Sequence, residues 1–381
     1  MSKVRILAIG HSYVLRANRA FAREVARDRD FEITIGAPHF FHGDLRPIEC
    51  EPEPAGSPLH LVPIRAHWTR YVHVFRYSRT ALNRLILDGR FDAIHAWEEP
   101  YIFAGFQIAR LAKQSRSRFC FWTSQNVNKH YPPPFNYFER ACLAIAHRWI
   151  ACGTSVFDNL VARGYPRDQG RTITLSVDTT TFRPRPEEER EAVRRELGLT
   201  APVIGFVGRL VPAKGIRILM QALEKLETDV AWSLLLLGSG EMKQEIEHWA
   251  AGLGFQDRVR IHLAKHDEVP RYLAAMDLMV APSQTMRNWK EQFGRMLIEA
   301  FACEVPVIAS DSGEIPFVVG NGGFIEPEKD IEKWHRTIYR LLRDPDLRKQ
   351  TGLSGYARVG QFSVAQVAGQ FRAFYRELVE S

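Results

Sequence analysis

Strand-like apolar runs alternate with helix-length segments along almost the whole chain, and they do so in two series. The first series is "VRILAIG", "FEITIGA", "LHLVPI", "FDAIHAW", "RFCFWTS" and "RWIACG"; the second is "PVIGFVG", "WSLLLLG", "RVRIHL", "DLMVAPS", "VPVIAS" and "GGFIEP". Short, nearly unbroken apolar runs suit strands covered on both faces, and intervening helices supply the crossovers that parallel pairing needs. After Asp178 the polar, proline-interrupted "TTTFRPRPEEER" breaks the pattern and reads as a linker. The chain is therefore expected to form two α/β domains, 1–183 and 184–361, with a last helical stretch, 362–381, crossing back onto the first. A length of 381 residues agrees, because one core rarely organises so many.

Open parallel sheets bind ligands beyond the carboxyl ends of their strands, which confines the candidate residues to a few loops. In the first domain these carry His11 and Ser12, Trp97 and Glu98, and Gln125 and Asn126, with His130 shortly after. In the second they carry Gly208 and Arg209, Gly238 to Gly240, Lys265 and His266, and Ser283 onward.

Composition narrows the class. Hydrophobic residues at 45% and charged residues at 25% are the balance of a globular chain and not of a disordered one. Apolar runs such as Leu234 to Leu237 are far short of the roughly 20 residues that span a bilayer, and Met1 to Gly10 is too short and polar for a secretory signal, so a cytoplasmic protein is expected. Five cysteines without CxxC spacing suggest neither a disulfide framework nor a zinc site. Asp-x-Asp occurs as Asp28-Arg29-Asp30 and Asp344-Pro345-Asp346, both in turns and away from strand ends, so no metal is expected.

The net charge of +7 is unevenly spread, with +10 through Arg185 and −3 beyond it. Arg16, Arg19, Arg23 and Arg27 recur at helical spacing within an expected helix over 14–27, and Arg65 to Arg84 interleaves Arg and His with Trp68, Tyr71, Phe75 and Tyr77. Three readings suit these features: solvated helix faces, an anionic acceptor pocket, or peripheral contact with an anionic membrane at its inner face. No nucleic-acid-binding module pattern accompanies the basic half, and no nucleic-acid partner is expected; a salt-dependent oligonucleotide-binding protein is the alternative from another class.

"VIGFVGRLVPAKGIRILMQAL" places Arg209 and Lys214 between a strand and the start of an amphipathic helix, where free N–H groups and the helix dipole already favour an anion. This reads as a diphosphate site, although the Gly-x4-Gly-Lys-Ser/Thr pattern is absent. "WKEQFGRMLIEAFACEVPVIASDSGEIP" sets Glu291 in a loop and Glu299 on the helix that follows Phe293 and Gly294. Eight helical residues would span about 12 Å, longer than the roughly 5 to 9.5 Å of paired glycosidase carboxylates. The spacing instead suits one elongated ligand with hydroxyl-bearing rings at both ends and phosphates in between.

These pieces resemble the donor domain of glycosyltransferase family 4, retaining enzymes of the GT-B fold ("glycosyl transferases group 1"). The likeness rests on "GFVGRLVPAKG", "LLLLGSGE", "VPRYLAAMDLMVAPS", "EQFGRMLIEAFACEVPVIASDSGEIPFVVG" and "VDTTTFRP", over roughly Val177 to Pro327. It implies two Rossmann-like domains with parallel sheets facing across a cleft. It further implies a metal-free transfer of a sugar, with retention, from a UDP- or GDP-linked donor to a hydroxyl of a glycan, lipid carrier or small molecule, with no other cofactor. Arg209 and Lys214 would grip the diphosphate, Glu299 the ribose, and Glu291 the donor sugar. Gly208, Gln292, Phe293, Gly294 and Arg295 would line the donor, with the base near Lys265 and His266, below Ser283. His11 is a candidate for the histidine that many relatives carry near "TSQN", where this chain has Gln125 and Asn126. A second departure is Glu304, where the family commonly has Gly. A phosphorylase or a nucleotide-sugar epimerase on the same fold is the second enzymatic reading.

Overall fold

The apolar runs become strands because their β-branched, leucine and aromatic side chains are covered on both faces. The structure is a computed structural model that describes residues 3–43, 47–200, 202–226, 230–265 and 267–380. It divides into two compact units: one runs up to Ser176 and includes the segment from Val364, and the other is Val177–Ser363.

In the first unit seven parallel strands form one sheet. They are β1 (Val4–Ile9), β2 (Phe31–Pro38), β3 (His60–Ile64), β4 (Ala93–Ala96), β5 (Arg118–Thr123), β6 (Arg148–Ala151) and β7 (Gly170–Thr172). Their order is β7-β6-β5-β4-β1-β2-β3, with Ile6 paired to Ile33 on one side and to Ala93 on the other. The strand order therefore reverses between β1 and β4, the place where ligand crevices open in doubly wound folds. One face is buried under helices that include Arg79–Asp88 and Phe103–Ser115. The other is covered by α1 (Ala20–Ala26) and the C-terminal helix Val364–Glu380, whose Val367, Phe371, Phe374 and Tyr375 join the core. His95 of β4 bonds through Nδ1 to the Tyr375 hydroxyl at 2.9 Å, and burial pushes its pKa down to about 3.

The second unit repeats the plan with β8 (Val203–Val207), β9 (Ser233–Leu237), β10 (Val259–His262), β11 (Leu278–Ala281), β12 (Val307–Ser310) and β13 (Phe324–Glu326). All pair in parallel, in the order β10-β9-β8-β11-β12-β13. Both units are Rossmann-like.

Three local readings differ from the structure. The stretch 14–27 is not one helix: single turns at His11–Val14 and Arg16–Arg19 precede α1. Arg19 is the reason, since it is fully buried, donating to Glu53 Oε1 at 2.7 Å, to the Tyr13 carbonyl at 2.7 Å and to the Glu51 carbonyl at 2.6 Å. Arg23 joins it on Glu53 at 3.1 Å, so the four arginines do not form one solvated face. The acidic end of the expected linker is helix Glu187–Leu197, with Glu187, Glu188 and Glu189 in the first turn against the positive end of the dipole. The short β7 and two small antiparallel hairpins, Phe40–His42 with Pro47–Glu49 and Ala66–His67 with Arg76–Tyr77, carry no clear period in the sequence.

Glu304 adopts a φ of +57°, the left-handed region that costs a residue with a Cβ roughly 1 kcal/mol or more. Its side chain is exposed. Glu304→Gly is expected to raise stability by about 1 kcal/mol in denaturant melts, minus what glycine adds to unfolded-state entropy; a clear fall would show that the glutamate makes a stabilising contact.

Candidate functional site

In the second unit the loops leaving β8, β11 and β12 converge. After β8 the chain turns through Arg209 and a short 3-10 turn, Pro212–Lys214, into α2 (Ile216–Glu224). Gly215 makes this possible: it sits at φ +71°, and a Cβ there would lie 1.7 Å from the Pro282 carbonyl oxygen. That close approach delivers Lys214 to the end of β11. Its ammonium meets Glu291 Oε2 at 2.5 Å, and the buried Ser283 hydroxyl donates to the same oxygen at 2.9 Å. The ammonium also lies 4.9 Å from the centre of the Trp289 ring. Glu291 is 6% exposed. Its carbonyl accepts from the Glu314 N–H at 3.1 Å, and Gly313, at φ +58°, leaves room for that oxygen where a Cβ would stand 2.0 Å away.

Downstream of Glu291, Phe293 is buried and Gln292 is exposed, and Gly294 at φ +80° leads into α3 (Arg295–Ala302). Glu299 lies on α3, one turn beyond Arg295. Burial pushes its carboxyl up to about 7, offset only in part by the Arg295 guanidinium. The same burial lowers the pKa of Arg295. Gly208 donates its N–H to the Leu237 carbonyl at 3.0 Å, which aligns the Arg209 loop with the loop leaving β9. Lys265 is exposed beyond β10, its N–H bonded to Glu268 Oε2 at 2.8 Å; His266 lies outside the described residues.

In the first unit the loops leaving β1 and β4 meet. Glu98, with a fully buried side chain, accepts from the His11 backbone N–H at 2.6 Å, pairs with His11 Nδ1 at 2.5 Å, and accepts from the Tyr77 hydroxyl at 2.8 Å. This fixes the ring with Nδ1 toward the carboxylate, the arrangement that orients imidazoles for proton transfer or hydrogen bonding through Nε2. The His11 side chain keeps 29% of its exposure. Ser12 Oγ is buried with no hydrogen-bond partner among the described residues. Trp97 stacks on Trp122 at 4.8 Å and on Phe21 at 5.1 Å, within the core. Beyond β5, Gln125 and Asn126 are buried, and Gln125 Oε1 accepts from the Tyr131 hydroxyl at 2.9 Å and from Arg163 at 2.5 Å. His130 is exposed and lines a separate cavity of about 420 Å³ with Lys129, Tyr131, Glu139, Arg140 and Arg163.

Sequence reasoning assigned Lys214 and Glu291 to different parts of one ligand, whereas the fold makes them partners. It missed Trp289, Gly313 and Glu314 around Glu291, and Tyr77 and Arg163 in the first unit. No spacing marks the last two, and only the "DSGEIP" loop, inside the strongest motif, pointed at Gly313 and Glu314. Among the described residues, no group of three or more His, Cys, Asp or Glu is placed to hold a metal ion.

The model of the family described as "Glycosyl transferases group 1" matches residues 188–358. An alpha-maltose-1-phosphate synthase of Mycolicibacterium smegmatis is 30% identical over 278 residues, 68% of this chain and 70% of that protein. A D-inositol 3-phosphate glycosyltransferase of Segniliparus rotundus is 34% identical over 250 residues, 62% of this chain; the alignment spans only 54% of that relative's length. Among solved structures, Anabaena HepE in complex with UDP and glucose superposes with a TM-score of 0.75 at 18% identity, over 98% of this chain and 100% of that one. A likeness at that identity establishes the fold alone, and the fold is GT-B.

The raised Glu299 pKa has a stability consequence. The folded carboxyl keeps its proton up to about pH 7, whereas the unfolded one loses it near 4.5, so the folded state binds the extra proton between those values. Its contribution is therefore full below about pH 4.5, is lost as pH rises to about 7, and changes little above. Urea melts of Glu299→Gln should lack this component, gaining on the order of 3 kcal/mol on the wild type between pH 5 and pH 8; parallel pH profiles for the two proteins would show that Glu299 ionises normally.

Proposed function

The chain belongs to the group 1 glycosyltransferases, and from that membership we propose that it moves a sugar from a nucleoside-diphosphate sugar to an acceptor hydroxyl, with retention at the anomeric carbon and without a metal ion. One observation carries the proposal: Lys214 and Glu291, 77 residues apart, meet at 2.5 Å where three strand-end loops converge beside the start of α3.

In this reading the developing charge of the leaving diphosphate is met by Lys214 and Arg209, a term that grows toward the transition state and so accelerates transfer. Glu291 and Ser283 hold the ammonium in place beforehand, which removes reorganisation from the reaction step. The backbone N–H groups of Gln292, Phe293 and Gly294 serve donor oxygens, and Glu299 accepts from the ribose hydroxyls. Lys265 flanks the base. In the first unit, His11 held by Glu98 hydrogen-bonds the acceptor hydroxyl, and Ser12, Gln125 and Asn126 stand on strand-end loops of the same sheet. UDP is the first nucleotide to test, because it is the ligand of the HepE structure.

Thermal melts across a panel of nucleoside diphosphates and their sugars should single out one nucleotide. A ligand at a hundred times its dissociation constant adds about 2.7 kcal/mol. Arg209→Ala and Lys214→Ala should each abolish that shift. Glu291→Gln should bind the nucleotide but turn over at least about tenfold more slowly. Full binding and turnover in both cation variants would refute the diphosphate assignment. Transfer should continue in EDTA at an undiminished rate; strict dependence on an added divalent ion would overturn the metal-free mechanism.

A further inference from the structure

Between Glu53 and Asp88 the chain has no carboxylate but five arginines, Arg65, Arg70, Arg76, Arg79 and Arg84. The centre of this stretch is the hairpin of Ala66–His67 with Arg76–Tyr77 and its connecting loop, 68–75. The loop turns apolar side chains outward: Trp68 is 59% exposed and Tyr71 63%, with Val72 and Val74 at 38% each. Trp68 holds this position at φ +59°, a backbone conformation unfavourable for a bulky residue. The Arg76 guanidinium lies 4.5 Å from the centre of its ring. Arg65 and Arg70 are exposed on the same loop and its base.

The knob is firmly seated. Phe75 and Tyr77 are fully buried in the core, and Thr69, 6% exposed, bonds to His42 Nδ1 at 2.9 Å. Phe103 donates its N–H to the His73 carbonyl at 3.1 Å, and Phe75 donates to the Tyr71 carbonyl at 2.9 Å. A tryptophan in left-handed backbone, outward aromatics and exposed arginines with no carboxylate partner among the described residues are therefore displayed on a supported element.

We propose that loop 68–75 is a docking surface for an anionic lipid bilayer. The chemistry favours lipid over other anionic partners. Valines and a tryptophan at the tip gain by entering the acyl boundary, tyrosine and tryptophan settle at headgroup level, and arginines around them meet lipid phosphates. A nucleic acid would satisfy the arginines but offers nothing to Val72 and Val74. The inference does not rest on the proposed transfer reaction, and none of these residues belongs to the donor or acceptor loops.

The test is flotation of the full chain with phosphatidylcholine vesicles, with and without phosphatidylglycerol, at low and raised salt. Binding is expected only to the anionic vesicles and should weaken with salt. The double variant W68A/Y71A and the variant R70E should each lower vesicle affinity by about tenfold, while keeping the wild-type melting temperature and nucleotide-induced shift. Three results would overturn the proposal: no binding to anionic vesicles; binding untouched by W68A/Y71A, with equal retention on a soluble polyanion such as an oligonucleotide; or a dimer in sedimentation that W68A/Y71A dissociates, which would make the occupant a second copy of this chain.

Discussion

Both sheets are parallel and covered on their two faces, which leaves the loops at the carboxyl ends of their strands as the places where the backbone can open toward a ligand. Everything chemically notable follows from that constraint. Arg209, Lys214, Ser283 and Glu291 stand on such loops in the second unit, and His11, Glu98, Gln125 and Asn126 in the first. The helices and the apolar strand interiors hold those loops still and take little other part.

Within the second unit the Lys214–Glu291 pair is the most consequential contact. Two charges have been taken largely out of water, and a buried pair of this kind is seldom a net source of stability. Its value lies in position: the carboxylate, steadied by Ser283 and by the Gly313–Glu314 turn behind it, keeps the ammonium fixed where α2 and α3 both begin nearby. Glu299 illustrates a different use of burial. Desolvation keeps it on the edge of ionisation, and the Arg295 guanidinium limits the shift. Two glutamates from one motif thus have different electrostatic settings, one ion-paired and one poised near neutral pH.

Charge along the chain is likewise sorted by the fold. The arginines at 16–27 look like a solvated basic stripe, but Arg19 and Arg23 are drawn inward onto Glu53 and share its carboxylate. The arginines at 65–84 have no carboxylate in their own stretch and surround exposed aromatic and aliphatic side chains. A residue count cannot tell these two clusters apart; burial and partners do. No helix among the described residues is long and apolar enough to cross a membrane.

The sequence by itself determined the two-fold series of parallel strands, because twelve apolar runs with period and length suited to buried strands leave few other arrangements. It also placed the candidate residues on loops that leave the carboxyl ends of those strands, whereas the left-handed backbone at Glu304, φ +57°, is seen only in the structure. Tertiary structure alone decided what each charged side chain touches. Lys214 meets Glu291 because Gly215 lets the β8 loop approach Pro282, a contact between segments distant in sequence that no local period encodes. Glu98 holds His11 for the same reason, since β1 and β4 become neighbours only when the sheet forms. Arg19 is buried where the expected helix breaks, donating to the Tyr13 carbonyl behind it and to Glu53 and the Glu51 carbonyl more than 30 residues ahead. Periodicity reports which side of an element is buried, whereas the partner of a buried charge depends on which elements the fold sets side by side.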